Sequence, residues 1–213
     1  EIAKKKGLTN KEHIEKDYFQ DLVLFHIYKK TNQLVFKGGT CLYKLYGLPR
    51  FSEDLDFSIT GTGKIYSESI VREIANAVGA KITDVKKMNN SLIMKLAFSG
   101  ILTSRNTLRI DISLTNEVFA YDVKNYVPPY IDINPFSLKT LNLKEVLAEK
   151  IHAILAREKA RDLYDLFFLL RFVEPDKEII NKKLKLFGMA FDFSAFKKRI
   201  ENYESLWIPE LKP

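Results

Sequence analysis

The stretch "FKGGTCLYKLYGLPRFSEDLDFSI", residues 36–59, constrains the fold more than any other part of the chain. The apolar run "QLVF" meets two adjacent glycines and then "TCLYKLYG", a helix of about two turns. Gly47 supplies a C-terminal stop, and Pro49 follows where a helix cannot easily continue. "DLDFSI" then alternates as a strand does, with Leu55, Phe57 and Ile59 on one side and Asp54 and Asp56 on the other. The segment therefore reads as strand, glycine turn, helix, strand, with two acids side by side on one face.

Each part has a chemical reading. Gly38 and Gly39 lie between a strand and a helix start, where backbone N–H groups can approach an anion closely. Thr40 can add a hydroxyl, and Lys44, one turn further on the same side, is a point charge within reach of a triphosphate. Arg50 and Ser52 stand just before the acids, where they touch phosphate or brace the loop. Two adjacent carboxylates repel unless a cation compensates, and Mg²⁺ takes such oxygen ligands. A third acid, Asp111, sits in "LRIDISL", with Arg109 and Ser113 on its face and Leu108, Ile110, Ile112 and Leu114 opposite. If the two strands are neighbours, Asp54, Asp56 and Asp111 converge, and three carboxylates can hold two metals for an in-line phosphoryl displacement. The bland alternatives are a tight turn, a solvated lysine and an alternating strand at a sheet edge.

Elsewhere, residues 9–30 have helical spacing, with Ile14, Tyr18, Leu22 and Phe25 recurring and Thr9 or Asn10 as cap. "SESIVREIANAVG" reads as a helix, and "AKITDVKKM", "SLIMKLAF" and "TLRIDISL" as strands. Residues 116–135, with Pro128, Pro129 and Pro135, read as irregular. From Asn142 the pattern is helical, opened by a capping-box spacing from Asn142 to Glu145. The chain is thus α+β. Residues 1–140 read as a mixed sheet flanked by helices, with an N-terminal helix, and residues 141–213 as a helical region.

Composition narrows the classes. The 213 residues carry a net charge of +7, which suits polyanionic partners. Cys41 is the only cysteine, so no internal disulfide forms, as expected of a cytoplasmic protein. It reads as buried and inert. His13, His26 and His152 show no zinc-ligand spacing, and His152 reads as a packing or surface residue. No apolar run approaches a membrane span. Phe167, Phe168, Phe191, Phe193 and Phe196 read as core, and the lysines of "NKKLKLFG" as a solvated face that could also guide RNA.

The Gly-Gly-Thr turn, "SEDLDF" and "RIDI" resemble the DNA polymerase beta-like nucleotidyltransferase superfamily. The closer resemblance is to the AbiEii/AbiGii toxin nucleotidyltransferases, in "GGTCLYKLYGLPRFSEDLDF" and in "LAEKIHAILAREKARDLYDLFFLL". The resemblance implies a nucleotidyltransferase core, an NTP substrate, Mg²⁺ or Mn²⁺, and a toxin neutralised by a cognate antitoxin. Related toxins add nucleotides to the 3′ end of tRNA, so tRNA is the expected acceptor. The resemblance also makes Lys150, Arg161, Asp162 and Asp165 functional. Lys150 falls on or beside the apolar stripe of Val146, Leu147 and Ile151. Asp162 or Asp165 would orient Lys150 or Arg161 at the nucleotide, or one of them would act as general base. The same chemistry on a protein or small-molecule hydroxyl, and a non-catalytic nucleotide- or RNA-binding module, are the alternatives.

Overall fold

The computed structural model describes residues 1–60, 67–115 and 118–203, and the chain divides into two compact units, Glu1–Thr140 and Leu141–Pro213. In the first unit a short helix α1 (Ile2–Lys5) precedes the long helix α2 (Lys11–Lys30). Strand β1 (Leu34–Lys37) runs directly into α3 (Gly38–Tyr46). Then come β2 (Leu55–Ile59), α4 (Ser67–Ala77), β3 (Lys81–Lys87), β4 (Ser91–Phe98), β5 (Asn106–Ser113), β6 (Tyr121–Tyr126) and β7 (Phe136–Leu141). The strands form one mixed sheet in the order β3-β4-β5-β2-β1-β7-β6. β1 pairs antiparallel with β2, whereas β2 and β5 run parallel.

Sequence alternation sets the two faces of the sheet. In β5, Leu108, Ile110 and Ile112 are buried while Arg109, Asp111 and Ser113 are half-buried. Leu55, Phe57 and Ile59 of β2 join the same core, with Phe19, Val23, Leu24 and Ile27 of α2. Asn10 caps α2, its side chain accepting from the N–H groups of Glu12 and His13. The deepest face of α2 differs from the expected stripe: Ile14, Tyr18, Leu22 and Phe25 are only half-buried, and Asp17, Gln20 and Asp21 are fully buried. Residues 116–135 are not irregular throughout, because β6 crosses them. Its sequence hides the strand, since Tyr126 is its only buried residue.

The second unit is helical: α5 (Leu143–Ala156), α6 (Ala160–Leu169), α7 (Lys177–Lys185) and α8 (Phe193–Glu201), with α6, α7 and α8 against α5. Asn142 caps α5 through the Lys144 N–H. Lys183 of α7 is buried and lies 2.9 Å from Glu145, so it is not part of a solvated face. Of the five phenylalanines expected in the core, Phe168 is buried, Phe191 and Phe196 are half-buried, and Phe167 and Phe193 are exposed. Helical spacing places residues on a face but does not say which face is covered. His152 stacks on Phe187 with ring centroids 3.7 Å apart.

Candidate active site

The junction of β1 and α3 builds the first part of the site. Gly38 has φ +76°, a conformation that residues with a Cβ rarely adopt, and a Cβ there would run into Asp56 Oδ2. A Cβ on Gly39 would stand 2.7 Å from Ser52 Oγ and 2.8 Å from Arg50 Nη2. The glycine turn is therefore pressed against Asp56 on one side and against Arg50 and Ser52 on the other. Gly38 is needed for its backbone conformation and for the close approach of Asp56, whereas the atoms crowding Gly39 are the ends of the Ser52 and Arg50 side chains.

Strand register supplies the acids. Asp56 stands opposite Lys37 on β1 and opposite Asp111 on β5, so Lys37, Asp56 and Asp111 form one row across three strands. Neighbouring strands lie about 4.8 Å apart, which puts the last two carboxylates within reach of one ligand. Asp54 precedes β2 by one residue. Among the described residues no group of three His, Cys, Asp or Glu side chains is gathered tightly enough to hold a metal. Asp111 is instead engaged by Arg109, whose Nη2 donates to Asp111 Oδ2 at 2.7 Å. The donor chemistry nonetheless suits a hard divalent cation: Asp54, Asp56 and Asp111 offer only oxygens, beside a glycine turn in which Gly38 is seated on Asp56.

Two expected ligands turn out to be braces. Thr40 is fully buried and its hydroxyl donates to the Asp54 carbonyl, tying the first turn of α3 to the acid segment. Lys44 does not extend towards the glycine turn. Its ammonium lies 2.7 Å from both the Asp17 carbonyl and Asp17 Oδ1, and 2.9 Å from Asp21 Oδ1. Burial pushes the Asp17 carboxyl up, but Lys44 and Lys6 outweigh it and hold it below the ordinary carboxylate value. At Asp21 burial wins and the carboxyl is raised. A lysine with three such partners is a strut between α2 and α3.

Sequence reading missed Gln20 and Arg109 as site residues. The buried Gln20 side chain donates to the Ser52 carbonyl at 2.8 Å and the Glu53 carbonyl at 2.9 Å, fixing the backbone just before Asp54. Arg109 carried a visible signal, its place on the Asp111 face two residues away. Gln20 carried none, because its partners are 32 and 33 residues away.

In the second unit, α5 and α6 bring together Lys150, Asp162 and Asp165. Lys150 Nζ is 3.0 Å from Asp162 Oδ1 and 2.7 Å from Asp165 Oδ2, and both aspartates are fully buried. Arg157 completes the cluster, its Nε 2.8 Å from Asp162 Oδ2 and its Nη2 3.1 Å from Oδ1. Burial alone would raise the Asp162 carboxyl, yet Lys150 and Arg157 hold it below its usual value. Arg161 points elsewhere: it is exposed, and among the described residues it forms no ion pair. Cys41 is buried beside Thr140, with its thiol pushed up to about 12 by burial, so it is no nucleophile.

The fold is that of known nucleotidyltransferases. JHP933 from Helicobacter pylori superposes with a TM-score of 0.65 at 21% identity, over 95% of this chain and 82% of that one. MenT4, the nucleotidyltransferase toxin Rv2826c from Mycobacterium tuberculosis H37Rv, gives 0.68 at 18% identity, over 99% and 89%. An antigenic nucleotidyltransferase-like protein from Paracoccidioides brasiliensis gives 0.54 at 15% identity, over 92% and 90%. No curated protein matches the chain. No helix among the described residues is long and apolar enough to cross a membrane. Residues 22–206 match the family described as nucleotidyl transferase AbiEii toxin, type IV TA system, and the chain belongs to that family of toxin nucleotidyltransferases.

Proposed function

We propose that the protein transfers a nucleoside monophosphate from an NTP to an acceptor hydroxyl, the 3′ end of tRNA. The observation that carries this reading is the glycine turn seated on Asp56, with Asp111 in register beside it. The backbone N–H groups at the start of α3 would bind the triphosphate, aided by the partial positive charge of the helix N-terminus. Arg50 and Ser52 would hold its outer oxygens from the far side of Gly39. Asp54, Asp56 and Asp111 would hold Mg²⁺ or Mn²⁺, with Arg109 releasing Asp111 as they do so. The bound cation would supply charge neutralisation at the phosphates and a lowered pKa at the attacking oxygen. The acceptor hydroxyl would give up its proton to solvent as its oxygen bonds to the α-phosphorus, the bond from that phosphorus to the oxygen bridging to the β-phosphate would break, and pyrophosphate would leave.

Lys150, oriented by Asp162 and Asp165, is proposed to serve the same reaction as a positioning residue, and Arg157 replaces Arg161 as the second cation of that cluster. The +7 charge supports a polyanionic acceptor. A cognate antitoxin is the partner that membership of the family suggests.

The test is incubation of the purified protein with Mg²⁺, each labelled NTP in turn and total tRNA, beside Asp56→Asn. Label on tRNA with the wild type alone supports the proposal. Label on protein moves the acceptor to a protein hydroxyl. Absence of label from every acceptor overturns transfer and leaves a binding module.

A further inference from the structure

The sheet has two edge strands, and they are built differently. β3 presents Lys81, Asp84, Lys86 and Lys87 to solvent, the charged dressing that keeps an edge from pairing with another chain. β6 carries no charged side chain of its own on one face, where Lys139 Nζ of β7 lies 4.4 Å from the Tyr121 ring centroid. Tyr121 is 44% exposed and Val123 63%, and Phe119 and Val127 at its two ends are 47% and 70% exposed. Within the strand Tyr121 and Val123 alternate, so they share one side of the edge. The other side carries Asp122 and Lys124, with Lys124 Nζ 5.0 Å from the Tyr46 ring centroid.

The order of residues in β6 is self-complementary. In an antiparallel pairing of two β6 strands centred on Val123, Val123 meets Val123 and Tyr121 meets Asn125. Asp122 then meets Lys124, and the two-fold axis makes this contact twice. Opposite charges directly across a strand pair attract and like charges repel. A closed two-fold contact of this kind uses the same patch on both partners. We propose that β6 is the contact of a homodimer in which the two sheets continue into one another through antiparallel β6 strands. Charge pairing favours a second copy over an unrelated strand, which would have to reproduce the same alternation.

The experiment is sedimentation equilibrium of the full chain from about 1 to 100 µM at about 0.15 M salt, where the overall charge is screened beyond roughly 8 Å. The wild type is expected to show a concentration-dependent dimer mass. Asp122→Lys and Lys124→Asp each place like charges opposite one another, so each alone should dissociate at least about tenfold more readily. Mixing the two variants should restore the dimer. The first carries a lysine at both positions and the second an aspartate at both, so every charged pair across the mixed contact is again of opposite sign. Circular dichroism of each variant shows that it is folded before mixing. A wild type that stays monomeric over the whole range overturns the proposal, whether or not another protein pairs with β6. So do single variants that dimerise like wild type, or folded variants whose mixture stays monomeric.

Discussion

Lys44 and Lys150 are two versions of one local arrangement with different surroundings. Each projects from one helix onto a pair of aspartates on another: Asp17 and Asp21 of α2 for Lys44, Asp162 and Asp165 of α6 for Lys150. The Lys44 cluster is sealed. The Tyr130 hydroxyl donates to Asp17 at 2.6 Å, the Tyr126 hydroxyl donates to Asp21 at 2.9 Å, and Lys6 lies 2.6 Å from Asp17. The Lys44 side chain is 1% exposed, against 12% for Lys150, whose companion Arg157 is half in solvent. An ammonium on paired carboxylates therefore does not by itself mark a site. What covers it decides whether it holds the fold or remains reachable.

The largest expected effect is on Lys44. Replacing it by Met leaves two buried carboxylates with Lys6 as their remaining cation, and removing one partner of a buried pair costs about 3–5 kcal/mol. Urea unfolding should show that loss, and a variant as stable as wild type would break the distinction. Lys150→Met should cost less, about 1–3 kcal/mol, because Arg157 stays on Asp162 and water reaches the cluster. Its transfer rate should fall on the order of 10²-fold under conditions where it remains folded. If Lys150→Met lost stability like Lys44→Met and kept its rate, the two clusters would both be structural.

Acid acts on the Lys150 cluster through Asp162. The folded-state carboxyl of Asp162 lies below its ordinary value of about 4. Its contribution to stability is present above the unfolded pKa and is lost as pH falls through the folded one. Removing Lys150 weakens the attraction that lowers it. The acid unfolding midpoint of Lys150→Met should therefore move to higher pH than that of wild type, read by circular dichroism. The smallest effect belongs to Arg161→Ala, within about 0.5 kcal/mol, as for exposed surface positions without partners. Arg157→Leu should exceed it in both stability and rate, and the reverse order would return the cationic role to Arg161.

The glycine turn and the carboxylate row were legible because their determinants are local. Gly38 and Gly39 punctuate a strand-to-helix step, and period two in β2 and β5 puts Asp56 and Asp111 on the open face. Lys150, Asp162 and Asp165 were legible through the family resemblance, with one local hint: a lysine beside the stripe of Val146, Leu147 and Ile151 is out of place on a purely apolar account. Lys44 was misread because Asp17, its partner, lies 27 residues earlier on another helix. The buried side of α2 was hidden for the same reason: Asp17, Gln20 and Asp21 look like a solvated face until their tertiary partners are known. β6 was lost because its alternating stretch is short, its apolar residues Tyr121 and Val123 face outward, and the prolines that follow it read as loop.

In the proposed reaction the nucleotide binds at the glycine turn on Asp56. The most direct measurement is calorimetric titration of a non-hydrolysable NTP analogue with Mg²⁺ into wild type and Gly38→Ala. A Cβ at residue 38 strains the backbone and intrudes on Asp56, so affinity should fall at least about tenfold in a variant whose melting curve remains cooperative. Equal affinity in a folded Gly38→Ala would contradict the claim and place the nucleotide elsewhere.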